Sequence, residues 1–173
     1  AKSIYAKALQ RHESHPLLTE GLADSYLYAG EQLTAQGLYN QIRAKNVAMH
    51  ISSDNEDFNF SRAELLSTLL AKKILVDEVG DLIVAAEKTH AKGSDKASDS
   101  YNLALLYAQK SKNKLAIRYL VQAVEQGLVS RYKIEMQPLF NKLYSMAAYI
   151  KVIENIKQKC QQQRKIISNS DYK

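Results

Sequence analysis

Residues 21–42, "GLADSYLYAGEQLTAQGLYNQI", carry the pattern that decides the fold. An apolar face with helical spacing opens this stretch, Gly30 interrupts it, and a second apolar face follows. The two faces consist of Leu22, Ala23 and Tyr26, and then of Ala35, Tyr39 and Ile42. Small residues let two helix axes approach, and a large residue beside them fills the remaining space. The stretch therefore predicts a pair of packed helices, with Tyr26 and Tyr39 in their core.

The same pattern recurs along the chain, which indicates an internal repeat. Shifted back by 34 residues, the second face reappears at the start of the chain, and both faces reappear in "SYNLALLYAQKSKNKLAIRYLVQAVEQG", residues 100–127. The recurring positions are Ala1, Tyr5 and Ala8, then Leu103, Ala104 and Tyr107, then Ala116, Leu120 and Ala123. Twelve residues separate Ala23 from Ala35, and twelve separate Ala104 from Ala116. We therefore predict a second helix pair, with a turn at Ser111 and Tyr107 in its core.

This pattern resembles the tetratricopeptide repeat, a 34-residue helix–turn–helix unit with small residues where its helices cross. The resemblance implies an all-α, right-handed solenoid that ends in a capping helix. Ala23 and Ala104 lie 81 residues apart, which is 13 more than two repeats of 34, so we expect an irregular insertion near 51–60. We expect N-terminal repeat-like helices over 1–91, and a further unit with capping helices over 92–173, in one continuous solenoid domain.

The stretch from 127 to 156, "GLVSRYKIEMQPLFNKLYSMAAYIKVIENI", resembles a segment that closes such repeats in many bacterial multidomain proteins. The matching positions are Gln137, Pro138, Phe140, Leu143 and Tyr149. Two positions depart from the usual pattern of this segment. Gln137 stands where Asp is common, and "SMAAY", residues 145–149, lacks the Pro that usually precedes the aromatic residue, here Tyr149. Such tails occur in membrane-spanning winged-helix transcription regulators of the ToxR and cadaverine-regulator type, in some adenylate cyclases and in Ser/Thr kinases. We expect Phe140, Leu143, Tyr149 and Ile153 to cover the apolar end of the repeats.

Composition and motifs disfavour several classes of function. The chain has a formal net charge of +6, which is unevenly divided: residues 1–99 have a net charge of −3 and residues 100–173 a net charge of +9. There Lys110, Lys112, Lys114 and Arg118 alternate with apolar residues as on a solvated helix face, so nucleic-acid binding is disfavoured. One cysteine, Cys160, excludes an internal disulfide. No run of about 20 apolar residues predicts a membrane span.

Catalytic and metal-binding motifs are also missing from the sequence. It contains no phosphate-binding Gly loop, no nucleophile elbow and no H-E-x-x-H motif. His12 and His15 have a spacing that could share a metal on a helix, but Pro16 places them in a loop. His90 is expected at a helix end. We predict no catalytic residue, no cofactor and no metal.

The remaining class of function is protein binding. Stacked helix pairs form a concave face that holds an extended peptide or a partner helix. The repeat register places eight residues on that face: Glu20, Asp24, Leu27, Tyr28, Tyr101, Asn102, Leu105 and Gln109. Acidic Glu20 and Asp24 stand where clamps for C-terminal carboxylates use Lys and Asn, so we expect no such clamp.

Three hypotheses of function stay open at this point. The first is a protein-binding or sensory module of a larger bacterial signalling protein or transcription regulator, which would be periplasmic if that regulator spans a membrane. The second is a free-standing scaffold for complex assembly, and the third a nucleic-acid-binding solenoid. Self-association through an apolar flank is a related possibility. The identity of the partner or signal cannot be read from the sequence.

Overall fold

The computed structural model describes residues 1–13, 15–50, 62–71, 76–93 and 96–170, and all regular structure in these ranges is helical. The prediction of an all-α chain is confirmed. The chain divides into two compact units, 1–80 and 81–173. The predicted insertion near 51–60 lies outside the described residues.

The helices follow one another along the chain in a simple order. In the first unit they are α1 (Lys2–Arg11), α2 (Pro16–Leu27), α3 (Gln32–His50) and α4 (Arg62–Leu69), and α5 (Val76–Ala91) runs across the boundary. In the second unit they are α6 (Ala97–Gln109), α7 (Asn113–Glu125), α8 (Arg131–Glu135), a 3₁₀ helix (Pro138–Leu143) and α9 (Ala147–Ser170).

The predicted helix pair of the first unit consists of α2 and α3, which pack against each other. Ala23, Ala35 and Tyr39 are completely buried, which confirms the small-residue crossing and the core position of Tyr39. Tyr26 is only half-buried, so its predicted core position is wrong. The ammonium of Lys2, from α1, lies 4.7 Å from the centre of the Tyr26 ring and occupies one of its faces.

The second unit contains the corresponding pair, α6 and α7. Five side chains at its predicted crossing are completely buried: Leu103, Ala104, Ala116, Leu120 and Ala123. Ser111 has a φ of 56°, and Gly30, 81 residues earlier, has a φ of 82°. The amide of Lys112 donates to the carbonyl of Tyr107 at 2.9 Å, as Glu31 does to Tyr26 at 3.0 Å. Both first helices therefore end in the same left-handed turn, although one of them lacks the usual Gly.

Helix α1 packs on α2 through a contact that the sequence pattern did not reveal. A Cβ atom added to Gly21 would lie 2.6 Å from Cζ of Tyr5, far inside van der Waals contact. Gly21 therefore lets the Tyr5 ring lie directly on the backbone of α2.

A pair of Gly-to-Ala substitutions tests this contact. We expect Gly21→Ala to destabilise the chain by about 1 kcal/mol, because the clash with Tyr5 outweighs the gain in helix propensity. Gly37, in α3, has no atom near its added Cβ, so Gly37→Ala should stabilise the chain by about 0.5–1 kcal/mol. Urea unfolding followed by circular dichroism measures both, and a stabilising Gly21→Ala would contradict the contact.

The closing segment is buried as predicted. Phe140 and Leu143 are completely buried, and Tyr149 and Ile153 are nearly so. The 3₁₀ helix packs on α6, and α9 packs on α7 and α8. The side-chain oxygen of buried Gln137 accepts a hydrogen bond from the amide of Leu139 at 3.5 Å, so it caps the 3₁₀ helix where Asp is common.

Candidate functional site

The eight residues predicted to bind a partner differ widely in exposure. Five of them are buried: Asp24, Leu27, Tyr28, Tyr101 and Leu105. Glu20 and Asn102 are half-buried, and Gln109 is exposed. Only these last three offer substantial surface to a partner. A binding role for any of the eight stays a prediction.

Contacts inside each unit account for two of the buried positions. The Tyr101 hydroxyl donates to the carbonyl of Lys133 at 3.1 Å, and its ring meets Phe140 edge to face at 6.0 Å. The closing segment therefore covers this part of α6, which the repeat register alone had left open. In the first unit, the hydroxyl of Tyr39 donates to the Asp24 carboxylate at 2.6 Å and ties α2 to α3.

A groove in the second unit offers a better-formed site, which we name the C-terminal groove. It has a volume of about 330 Å³. Its lining residues are Glu135, Tyr144, Tyr149, Ile150, Ile153, Glu154 and Lys157. Tyr149 and Ile153 are buried, whereas Ile150 is 46% exposed and Tyr144 is 40% exposed. The groove thus combines a buried apolar base with apolar surface that solvent reaches.

Hydrogen bonds hold the tyrosines of this groove in place. The single O–H of Tyr144 is shared between two carbonyl oxygens, that of Glu135 at 2.7 Å and that of Gln137 at 3.1 Å. The hydroxyl of Tyr149 donates to the carbonyl of Ile134 at 3.0 Å. The carbonyls of Ile134 and Glu135 lie in the last turn of α8, where carbonyls lack partners within the helix, and the carbonyl of Gln137 belongs to the residue that precedes the 3₁₀ helix. The wall of the groove is therefore preorganised.

The charged groups of the groove carry both signs. Glu135 is held by Arg131, whose Nε lies 2.7 Å from its carboxylate, one helical turn earlier. Glu154 and Lys157 are exposed on α9. An apolar side chain entering the groove therefore meets polar groups that can orient the backbone or flanking residues of a ligand.

Burial raises the pKa of Tyr149, and the neighbouring Tyr144 and Glu135 raise it further. Burial also raises the pKa of Tyr144, again with help from Glu135. Both phenols hold their protons more tightly than a free tyrosine does. They therefore act as hydrogen-bond donors and are poor general bases or nucleophiles.

This shift predicts how stability depends on pH. The unfolded chain releases the Tyr149 proton near pH 10.0, whereas the folded chain keeps it to higher pH. The free energy of unfolding should therefore fall as the pH rises above about 10. Tyr149→Phe should cost about 1 kcal/mol at neutral pH, through the lost hydrogen bond, and should make the fall shallower. Urea unfolding between pH 8 and about 11 tests this, with Tyr132→Phe as the exposed control.

A second polar cluster joins α5, α6 and α7. The Tyr107 hydroxyl donates to the Glu87 carboxylate, and the Tyr107 ring stacks on Tyr119 at 5.5 Å. His90 lies in the last turn of α5, as predicted, and its Nε2 is 3.0 Å from Nε2 of Gln122. Burial and the bond to Glu87 raise the pKa of Tyr107. The cluster ties three helices together, and its phenol is a donor rather than a base.

Comparison of the chain with protein-family models, curated proteins and solved structures finds no match. Among the described residues, no helix is both long and apolar enough to cross a membrane. The same ranges contain no group of three or more His, Cys, Asp or Glu side chains arranged to hold a metal. His12 follows the last residue of α1 and His15 precedes the first residue of α2, which confirms their predicted place between two helices.

Proposed function

We propose that this chain is a non-enzymatic protein-binding module that holds a peptide or partner helix. We further propose that it is a right-handed, tetratricopeptide-like solenoid and a sensory or interaction part of a larger bacterial regulatory protein. Two helix pairs with the same crossing residues and the same left-handed turn support the repeat. The buried closing segment, with Phe140 and Tyr149 at the expected positions, supports the resemblance to such regulators.

The C-terminal groove carries the binding part of the proposal. Apolar surface that lies in a concave site and is rimmed by charges is typical of a protein-interaction site. Ile150 and Tyr144 supply that surface, and the hydrogen bonds of Tyr144 and Tyr149 fix its shape before a ligand arrives. The groove has room for one large apolar side chain of a peptide segment, and its rim is placed to contact the residues on either side.

The exposed members of the predicted concave face extend this proposal. Glu20, Asn102 and Gln109 lie on first helices of the two pairs, where a solenoid presents its binding face. We propose that each of these three side chains makes a polar contact with a partner bound to its own unit, and that these contacts contribute less to binding than the C-terminal groove does.

Peptide selection on the full chain tests the binding function. We expect a displayed library of random peptides to yield sequences with a shared large apolar residue. Ile150→Arg should weaken their binding at least about tenfold, because it places a cation in the apolar groove. Ile166→Arg changes an exposed isoleucine of the same helix outside the groove and should leave binding within about twofold.

Two results would overturn the proposal. One is a library that yields no binding peptide. The other is an equal loss of peptide affinity in Ile150→Arg and Ile166→Arg. Thermal unfolding of both variants shows that each remains folded. The coding sequence upstream of Ala1 tests the regulator part: we expect a winged-helix segment followed by one apolar span of about 20 residues.

A further inference from the structure

Four exposed cations lie at the turn between α6 and α7 or within two helical turns of it, and we name this set the basic turn. It consists of Lys112, Lys114, Arg118 and Lys142, all exposed. The first three come from the turn and the first two turns of α7. Lys142 belongs to the 3₁₀ helix, and its ammonium donates to the hydroxyl of Ser111 at 2.9 Å. The bond to Ser111 therefore brings a cation of the 3₁₀ helix to the turn that Lys112 also occupies.

No carboxylate of the described chain forms an ion pair with these four cations. The ammonium of Lys112 lies 5.9 Å from the centre of the Tyr107 ring. Glu87, which faces that ring system from α5, already accepts the hydroxyl of Tyr107. Among the described residues of the second unit, the four cations therefore have no ion-paired carboxylate.

The placement of these charges is unfavourable for the isolated chain. The N-terminal end of a helix is the positive end of its dipole, so cations in the first turn are repelled. Lys112 precedes α7 without any side-chain cap, and Lys114 and Arg118 repel each other across one helical turn. A sequence selected only for stability would place Asp or Glu here. Such local conflicts are typical of positions kept for binding.

We propose that the basic turn is a docking surface for an acidic segment of a partner protein. The charge complementarity is direct, since Asp and Glu side chains would supply counter-charges to cations that have no ion pair in the described chain. The inference rests on the proposed protein-binding function and names the chemistry of the partner. Its position differs from that of the C-terminal groove, which is apolar.

The surroundings of the basic turn favour a protein segment over nucleic acid or a lipid surface. Single-stranded nucleic acid needs aromatic platforms on which bases stack. Tyr107 is buried, and its ring is stacked on Tyr119. A membrane-surface site uses exposed apolar side chains beside its cations. Among the described residues 107–121 and 138–144, the exposed large apolar side chains are Val121 and Tyr144, at 36% and 40%, which is fewer than an apolar membrane-facing surface needs.

Charge reversal on the full chain tests this surface. The probe is a fluorescent peptide rich in Asp and Glu, titrated at low and at physiological salt. The double variant Lys114→Glu, Arg118→Glu should weaken binding at least about tenfold. The control Lys151→Glu, Arg164→Glu changes the net charge by the same amount at exposed positions of α9, and it should weaken binding less than about threefold.

Stability separates loss of binding from loss of folding. Because Lys114→Glu puts an anion in the first turn of α7, the double variant should melt at the same temperature as the parent chain or higher. Lost binding together with retained stability supports the docking surface. Equal weakening by the control pair would show a general charge effect and would overturn the inference.

Two competing probes complete the experiment. They are a single-stranded oligonucleotide of similar charge and vesicles that contain phosphatidylserine. Tighter binding of either one, lost in the same double variant, would overturn the choice of a protein segment. If the acidic peptide fails to bind while groove-selected peptides still bind, this inference is wrong and the proposed function stands. If neither the acidic peptide nor any groove-selected peptide binds, both this inference and the proposed function are wrong.

Discussion

Replacing Phe140 with Ala should lower the free energy of unfolding of the chain by about 3–5 kcal/mol. Phe140 is completely buried and is the central ring of the closing segment. Its ring lies 6.0 Å from that of Tyr101 on α6 and 6.3 Å from that of Tyr149 on α9. Truncation removes both contacts and leaves a cavity that neighbouring helices can fill only in part.

Guanidinium unfolding of the full chain, followed by circular dichroism, measures this loss. Ile166→Ala is the matched control, because it removes a large apolar side chain that is 68% exposed on α9. It should change the free energy of unfolding by less than about 0.5 kcal/mol. A Phe140→Ala loss as small as that of the control would mean that the closing segment does not support α6.

Replacing Ala104 with Leu should destabilise the chain by about 2–3 kcal/mol. Ala104 and Ala116 are both completely buried where α6 and α7 cross. Three extra carbon atoms at this crossing must push the helix axes apart or force the side chain out of a normal rotamer. The change adds apolar volume and no charge, so the loss measures close packing alone.

Ala148→Leu provides the comparison for this variant. Ala148 is exposed in the first turn of α9, so the added atoms extend into solvent. We expect a change of less than about 0.5 kcal/mol there. Hydrogen-exchange mass spectrometry should show faster exchange in α6 and α7 only for Ala104→Leu. If the two variants were equally stable, the tight crossing predicted from the sequence would be contradicted.

The sequence predicted those parts of the fold that depend on periodic packing. Ala104 and Ala116 occupy the positions of Ala23 and Ala35, and all four are completely buried. The turn at Ser111 was predicted from spacing alone, although a left-handed Ser is unusual. Spacing succeeds here because a helix crossing requires a small residue whatever its neighbours are.

Other features depend on contacts between distant segments, which a local pattern does not encode. Tyr101 was predicted on an open face, but the 3₁₀ helix brings Phe140 against it. Gly21 matters because of Tyr5, and nothing in the repeat marks that pair. The C-terminal groove depends on Tyr144 and Ile150, which interrupt the apolar pattern instead of following it.

The positive charges of the basic turn can be counted in the sequence, but their arrangement cannot be predicted from it. The Lys and Arg residues of α7 have the spacing of an ordinary solvated helix face. Only the structure adds Lys142 to them, through its bond to Ser111, and shows that no described carboxylate forms an ion pair with them. That bond joins a cation of the closing segment to the turn before α7, a contact between positions 31 residues apart in the sequence.

The central claim is that the C-terminal groove binds a peptide segment of a partner protein, and a nuclear magnetic resonance titration tests it most directly. A peptide selected on the full chain is added to isotope-labelled protein, and backbone amide shifts are followed residue by residue. We predict the largest shifts at Tyr144, Ile150 and Glu154, with a matching loss of affinity in Ile150→Arg. Shifts confined to α1–α3, with the groove residues unchanged, would contradict the claim.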